Sequence, residues 1–466
     1  MSYGYNVQSL LYSSQALQLE KDESAKRVKY IDMLKETRDV ITRDCPELIR
    51  DVFKSPEKRV EMKSHIARYV HHQRVIVEDK AVNELSKLVD QLYDDMFGFG
   101  IITQYLFDPN VKAINGNRWD DIEVTTFDGY KKLAGKFANP QQAQDIIKRM
   151  ALLGGVTVDS AMPTADSQIT EGIRIHVKVP PIIDDSAGVQ FSIRKQREKL
   201  FSKEEYVQLN TASNDEIDFI LMCLRYGVSI GFAGGVGSGK TADITYYASQ
   251  LCDTRRIYVI EDTREIQLER IGENGIYESR VMHTKTRFSN GQQMNVDARQ
   301  LVRDALRCDP HIIIPSEMRG AEALDIMEAG RTGHTIITSF HANDAEDAYA
   351  RISSMAMMAN AGYSDEMLLK FAYRAFPIMV YKMVLPDEKD KEREVIRYIE
   401  IAEAQKRPHG QFEVVPIFRY IPPDDENKQV GIHVQVNPIS EQLAYYLRLK
   451  KAPLSLLRRF TKDGVV

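Results

Sequence analysis

GFAGGVGSGKT, residues 231–241, places five glycines, a lysine and a threonine directly after the apolar run Val228–Ser229–Ile230. Gly234, then four residues, then Gly239, Lys240 and Thr241 fit the spacing GxxxxGK[ST]. In such a loop the backbone N–H groups must turn inward on one phosphate chain, and glycine reaches that geometry without steric cost. Lys240 is then expected on the β- and γ-phosphates, the positive end of a helix starting near Thr241 adds to the field, and the Thr241 hydroxyl is a ligand for Mg²⁺. The candidate cradle is Gly234, Gly235, Val236, Gly237, Ser238, Gly239, Lys240 and Thr241. It stands between a predicted strand and a predicted helix, which is the context the motif requires.

From this loop the reading extends to neighbouring strands. Residues 216 to about 375 alternate apolar strand signals, VSIGFAG, RIYVIED, HIIIP and TIITSF, with helical stretches, which predicts a parallel sheet covered by helices on both faces. Groups that orient water or hold Mg²⁺ belong at the carboxyl ends of such strands. IYVIEDTREIQL ends in Glu261 and Asp262 with Glu265 a turn later, and HIIIPSEMRG carries Glu317 just past its strand. TIITSFHAND ends at His341, a candidate for sensing the terminal phosphate, since an imidazole can change its hydrogen bonding before and after hydrolysis. Arg299, Arg303 and Arg307, spaced by four, form one helical stripe that is either a solvated face or a basic surface turned to a nucleotide.

Before residue 216 the texture differs. Residues 1–95 are charge-rich, with Val82, Leu85, Leu88, Val89 and Leu92 on one helical face, and read as a helical module. Residues 96–205 read as an α+β domain, with a helix capped by Asn139 and opened by Pro140, and two alternating strands, GIRIHVKVPP and GVQFSIRK. Each strand turns an arginine, Arg174 or Arg194, away from its apolar side, which by periodicity is a solvated sheet face. Residues 206–466 form the third segment, with an antiparallel, β-rich extension from about 376 and a basic, apolar tail that packs as a terminal helix.

The bulk numbers restrict the function classes. At 466 residues the chain needs more than one core. With 62 basic against 67 acidic residues, a formal charge of −5 speaks against a protein that coats nucleic acid. No run reaches the roughly 18 apolar residues of a membrane span, and the start lacks a secretory leader, so a cytoplasmic location is expected. Cys45, Cys223, Cys252 and Cys308 are scattered singly, which excludes a tetracysteine zinc module.

In order and spacing, GGVGSGKT, IEDTREI, LRCDPHIIIPSEMRGAEALDIMEAGRTGH and TSFHAND resemble the Walker A, Asp box, Walker B and His box of secretion and pilus-assembly ATPases of the type II/type IV secretion superfamily. LFDPNVKAINGN with TTFDG, and GIRIHV with SIRK, resemble that family's N-terminal domain, so that the likeness runs over roughly residues 95 to 420. Pro315 and Ser316 depart from the family's glycine before the Walker B glutamate, and Lys112 replaces an acid. The resemblance implies a RecA-like P-loop NTPase core, preceded by the α+β domain and helical module. It implies a homohexamer using ATP and Mg²⁺ as cofactors, peripheral to the inner face of the cell membrane, with secretion or pilus platform proteins as partners and no sequence-specific nucleic acid. It further implies that Glu317, Glu261, Asp262 and Glu265 handle metal and water, that Thr241, Asp262 and Glu317 are the metal ligands, that His341 senses the γ-phosphate, and that Arg174 and Arg194 reach the nucleotide from the N-terminal domain. The absent zinc module and charge-rich start bring the chain nearest the type IV secretion and tight-adherence pilus branch. A RecA-type nucleic-acid motor is the alternative, and it calls for a basic or aromatic binding surface.

Overall fold

The computed structural model describes residues 26–52, 56–73, 75–77, 85–126, 129–170, 172–196, 200–287, 295–387, 394–423 and 430–462. The chain divides after residue 197 into two compact units.

The first unit has two cores. In one, helices Tyr30–Asp44, Pro56–Gln73 and Leu85–Phe97 bury Met33, Ile41, Met62, Ile66 and Leu92 against each other. Leu88, Val89 and Leu92 share the buried face of the last helix, as their spacing predicts, while Val82 lies outside the described residues. Two short strands, β1 (Lys26–Val28) and β2 (Val75–Val77), pair in parallel beside the helices, so this segment is not purely helical.

The other core belongs to a six-stranded antiparallel sheet, β3 (Val111–Arg118), β4 (Asp121–Thr126), β5 (Gly129–Lys132), β6 (Thr164–Thr170), β7 (Ile173–Lys178) and β8 (Gln190–Lys195), in the order β5-β4-β3-β8-β7-β6. Helix Pro140–Leu153 packs on β6 and β7. Its first turn forms where expected, because the Asn139 side chain accepts the Gln142 N–H at 2.8 Å and Pro140 has no N–H to satisfy. Ile175, Val177, Phe191 and Ile193 point into the core with Ile147 and Met150.

The second unit is built on a nine-stranded sheet. Its strands are β9 (Ile230–Gly234), β10 (Ile257–Glu261), β11 (Val281–Lys285), β12 (Ile312–Pro315), β13 (Thr335–Phe340), β14 (Ile378–Pro386), β15 (Glu394–Lys406), β16 (Phe412–Ile421) and β17 (Ile432–Gln435). They run in the order β11-β10-β12-β13-β9-β14-β15-β16-β17. From β11 to β14 every pairing is parallel, and from β14 to β17 every pairing is antiparallel. Strand β14 thus joins the parallel sheet through β9 and opens the antiparallel extension through β15, a double role that its own alternating pattern does not reveal.

All residues of β9, β10, β12 and β13 are buried, which explains their near-continuous apolar sequences. Ile257 and Val259 enter one hydrophobic cluster and Tyr258 and Ile260 the other, so successive residues feed cores on opposite faces. Because the chain passes from β9 out to β10 and later fills in β12 and β13, the tips of β9, β13, β12 and β10 stand side by side at one edge of the sheet.

The basic tail forms two short helices, Glu441–Leu449 and Leu454–Leu457, instead of one. Lys451, at φ 65°, and Pro453 break the run between them. Their apolar side is buried, and Arg459 pairs with Asp218 at 3.0 Å and with Asp215. Phe460 is fully buried, with ring centroids 5.3 Å from Phe219 and 6.1 Å from Phe418. Phe460→Ala is therefore expected to cost the second unit about 3–5 kcal/mol in a denaturant titration. A loss below about 1 kcal/mol would mean that the tail does not belong to the core.

Candidate functional site at the strand tips of the second unit

The glycine loop leaves β9 at Gly234 and enters helix Lys240–Ser249. Gly234, at φ 156°, tolerates no side chain, because a Cβ there would lie 2.3 Å from the Lys382 carbonyl oxygen. Gly239 starts the helix in the left-handed region, at φ 74° and ψ 27°, where glycine avoids the cost borne by other residues. Between them Gly235, Val236 and Gly237 are exposed, and a Cβ on Gly235 or Gly237 would meet nothing within 4 Å. The loop is thus held from within and open outward. Ser238 closes it by donating its hydroxyl to the Gly235 carbonyl at 2.8 Å.

Lys240 is nearly buried and donates to the carbonyls of Gly234 at 2.9 Å and Gly235 at 2.7 Å. Burial pulls its pKa down to about 8, Glu317 works against that shift, and Lys382 adds to it. An ammonium partly stripped of water, an open row of loop backbone and the start of a ten-residue helix suit an anion with several phosphate oxygens.

Three further tips converge on this loop. His341 directly follows β13, and its Nδ1 lies 3.1 Å from the Gly234 carbonyl. A carbonyl only accepts, so that nitrogen carries the proton. His341 Nε2 then faces Glu317 Oε1 at 3.5 Å, two residues past β12. Glu317 Oε2 accepts from Arg319 at 2.6 Å, and the same guanidinium reaches Asp262 Oδ2 at 3.3 Å, just past β10. Asp262 also accepts from the Thr286 hydroxyl at 2.8 Å. A continuous polar chain therefore runs from Asp262 through Arg319, Glu317 and His341 to Gly234 and Lys240.

Glu261 is placed differently from its neighbour. It is buried, and its Oε1 accepts the N–H groups of Glu265 and Ile266, both at 3.0 Å, so this carboxyl shapes the turn that carries Asp262 and Glu265. Burial raises its pKa to about 7 against the lowering effect of those two N–H donors. His283 lies 3.9 Å from its other oxygen.

The arginine stripe is resolved into ion pairs. Arg299 and Arg303 share Asp325 of the next helix at 2.6 and 3.1 Å, and Arg307 lies 4.0 Å from Asp304. Arg174 and Arg194 belong to the first unit, where they stand opposite each other on β7 and β8, on the face turned from the core. Among the described residues no group of three or more His, Cys, Asp or Glu side chains is arranged to hold a metal ion. The four cysteines are free.

Sequence reasoning missed Arg319, Lys382 and Asp243. Arg319 sits two residues after Glu317, and Lys382 is a lone charge in the apolar run Ile378–Leu385, which was the available signal. Asp243, one turn into the helix after the loop, carries no sequence mark of its own.

The family model described as "Type II/IV secretion system protein" matches residues 96–376, more than half of the chain, and the chain belongs to that family. An uncharacterised protein of Methanocaldococcus jannaschii is 28% identical over 45% of this chain and 36% of its own, so the chain spans about a third of that relative's length. The type IV secretion system protein PtlH of Bordetella pertussis is 28% identical over 42% of this chain and 62% of its own. The solved structure of the Legionella pneumophila ATPase DotB shares 19% identity over 62% of this chain and 76% of that one, with a TM-score of 0.44. Among the described residues no helix is long and apolar enough to cross a membrane.

The buried Glu261 carboxyl sets a pH dependence. Its pKa is about 7 in the folded chain against an ordinary 4.5, so between these values the folded state holds more protons than the unfolded one and stability falls as pH rises. Gln in its place still accepts both N–H groups and does not titrate. Wild type is expected to lose stability relative to Glu261→Gln between pH 5 and pH 8 in thermal melts, and parallel melting curves would contradict this.

Proposed function

We propose that this member of the type II/IV secretion system family is an ATP-hydrolysing motor of a type IV secretion, conjugation or pilus-assembly machine, built on a RecA-like P-loop core. The observation that carries the reading is the Gly234 carbonyl, met by both Lys240 and His341, with Glu317 facing the other nitrogen of that imidazole.

In this reading the amides of Gly234 to Thr241 hold the triphosphate, and the Lys240 ammonium exchanges its loop carbonyls for β- and γ-phosphate oxygens. That exchange favours the charged form of the lysine and offsets the burial that now lowers its pKa. Thr241, Asp262 and Glu317 would hold Mg²⁺ together with phosphate oxygens, the usual setting for an ion that gives up its water reluctantly. Mg²⁺ supplies neutralisation of the charge that builds on the phosphates. Glu317 orients the attacking water, and His341, bonded to the loop on one side and facing Glu317 on the other, senses the terminal phosphate. Glu261 holds the turn behind them through the N–H groups of Glu265 and Ile266, and the Glu265 carboxylate completes the acidic set that handles metal and water. Arg319 now occupies both Glu317 and Asp262, so it must yield one carboxylate when metal and water are bound.

Arg174 and Arg194 supply positive charge to the γ-phosphate from the first unit, in a homohexamer whose ATP-linked interdomain motion drives a platform at the inner membrane. The chain itself stays peripheral to the membrane.

Steady-state ATP turnover tests the assignment. Lys240→Ala and Glu317→Gln are each expected to lower it by about tenfold to a thousandfold, the range for losing a group that stabilises developing charge. Turnover unchanged in both would remove the site. Arg194→Ala is expected to reduce turnover without shifting the thermal midpoint, and unaltered kinetics would return that arginine to a solvated sheet face.

A further inference from the structure

Behind the loop lies a second lysine that the proposed chemistry does not use. Lys382 occurs on β14 where the pairing with β15 shifts register, between Tyr381 and Lys382, and on its other side it pairs directly with Gly234 of β9. The extra residue of that shift is Ile399 of β15, and Lys382 keeps the alternation of β14, on the side of Ile378 and Val380. The Lys382 side chain is 1% exposed and runs under the loop, so that a Cβ on Gly234 would lie 3.2 Å from its Cγ. Its ammonium forms an ion pair with Asp243, donates to the Gly239 carbonyl at 3.4 Å, and lies 5.1 Å from the centre of the Tyr398 ring. Asp243 is equally buried and accepts the Tyr206 hydroxyl at 2.8 Å.

The Gly239 carbonyl therefore has two donors. One is the backbone N–H of Asp243, the first bond of the helix at 3.1 Å, and the other is Lys382. Gly239 is also the left-handed residue on which the loop turns into the helix. An ion pair at this depth is a poor means of gaining stability, because removing both charges from water costs about as much as their attraction returns. Its place against the loop is what calls for an explanation.

We propose that Lys382, held by Asp243, is a positioning residue for the phosphate loop, fixing the Gly239 carbonyl from below and thereby the direction of the amides that follow it. The loop is then bracketed by two ammonium groups, Lys240 at its mouth on Gly234 and Gly235 and Lys382 beneath on Gly239. Since Lys382 lies on the strand that opens the antiparallel extension, the bracket ties the loop to β14 and β15. This inference rests on the reading of the loop as a nucleotide site.

The test uses the full chain, with Mg·ADP binding by calorimetry, thermal midpoints, and hydrogen exchange of the amides of residues 235–241. The double variant Lys382→Met with Asp243→Asn removes both charges and leaves no buried ion unpaired. It is expected to keep a midpoint close to wild type, to bind Mg·ADP at least about tenfold more weakly, and to exchange its loop amides faster. In turnover its KM is expected to rise more than its kcat falls. A role confined to packing would shift the midpoint and leave binding by the folded protein unaltered.

Lys240→Ala in the same titration separates the two claims. If Lys240→Ala loses binding while the double variant binds as wild type does, the positioning role is overturned and the nucleotide site stands. If wild type itself binds no Mg·ADP, the site reading fails and this inference with it. Should the double variant not fold, Tyr206→Phe with Tyr398→Phe deletes only the two hydroxyls that bond Asp243. Weaker binding at an unchanged midpoint then supports the role, and wild-type binding overturns it.

Discussion

One carbonyl oxygen, that of Gly234 at the tip of β9, receives both the Lys240 ammonium and the protonated Nδ1 of His341. The loop, Lys240 and the neighbouring strand β13 are thereby referred to one point. That point exists because Gly234 can adopt φ 156° with the Lys382 carbonyl pressed close to its Cα, a place where a larger residue would force the strands apart. The geometry of the site depends on this contact between two backbones.

The sheet order does the remaining work. In a parallel sheet all carboxyl ends face one edge, and the sequence β10-β12-β13-β9 brings Asp262, Glu317, His341 and the glycine loop into a row. Strands buried on both faces hold that row rigidly, and the polar residues sit only where the strands stop. Arg319 then spans the acids of two tips. Its guanidinium, about two-thirds exposed, is cheap to displace, because such a pair contributes at most about 1 kcal/mol. Lys240 and Glu261 lie at the opposite limit, since their burial shifts both toward neutrality and makes each responsive to a nearby charge.

Much of this was legible in the sequence. The apolar strands of 230–340 and the loop spacing give a parallel sheet with Glu317 and His341 at its tips, because strand ends are marked by the switch from buried apolar to polar residues. The cap at Asn139 and the alternation of β7 and β8 were equally readable, being local. What could not be read is which partner a charge meets across space. Arg299 and Arg303 look alike whether they face solvent or Asp325, and Glu261 and Asp262 look alike although one is buried in a turn and the other faces Arg319. The short strand Val281–Lys285 is missed because an edge strand of mixed polarity carries little pattern. Lys382 shows as a lone charge in an apolar run, but nothing local says that Asp243 is the partner it meets.

In the proposed function, this row of strand tips grips a triphosphate through Lys240 and reads its last phosphate through Glu317 and His341. A structure of the assembled chain with Mg²⁺ and a slowly hydrolysed ATP analogue tests it most directly. Lys240 Nζ is expected to have left the Gly234 and Gly235 carbonyls for the β- and γ-phosphate oxygens, with Glu317 and His341 within hydrogen-bond reach of the γ-phosphate or its water. Nucleotide bound elsewhere, with Lys240 still on those two carbonyls, would contradict it.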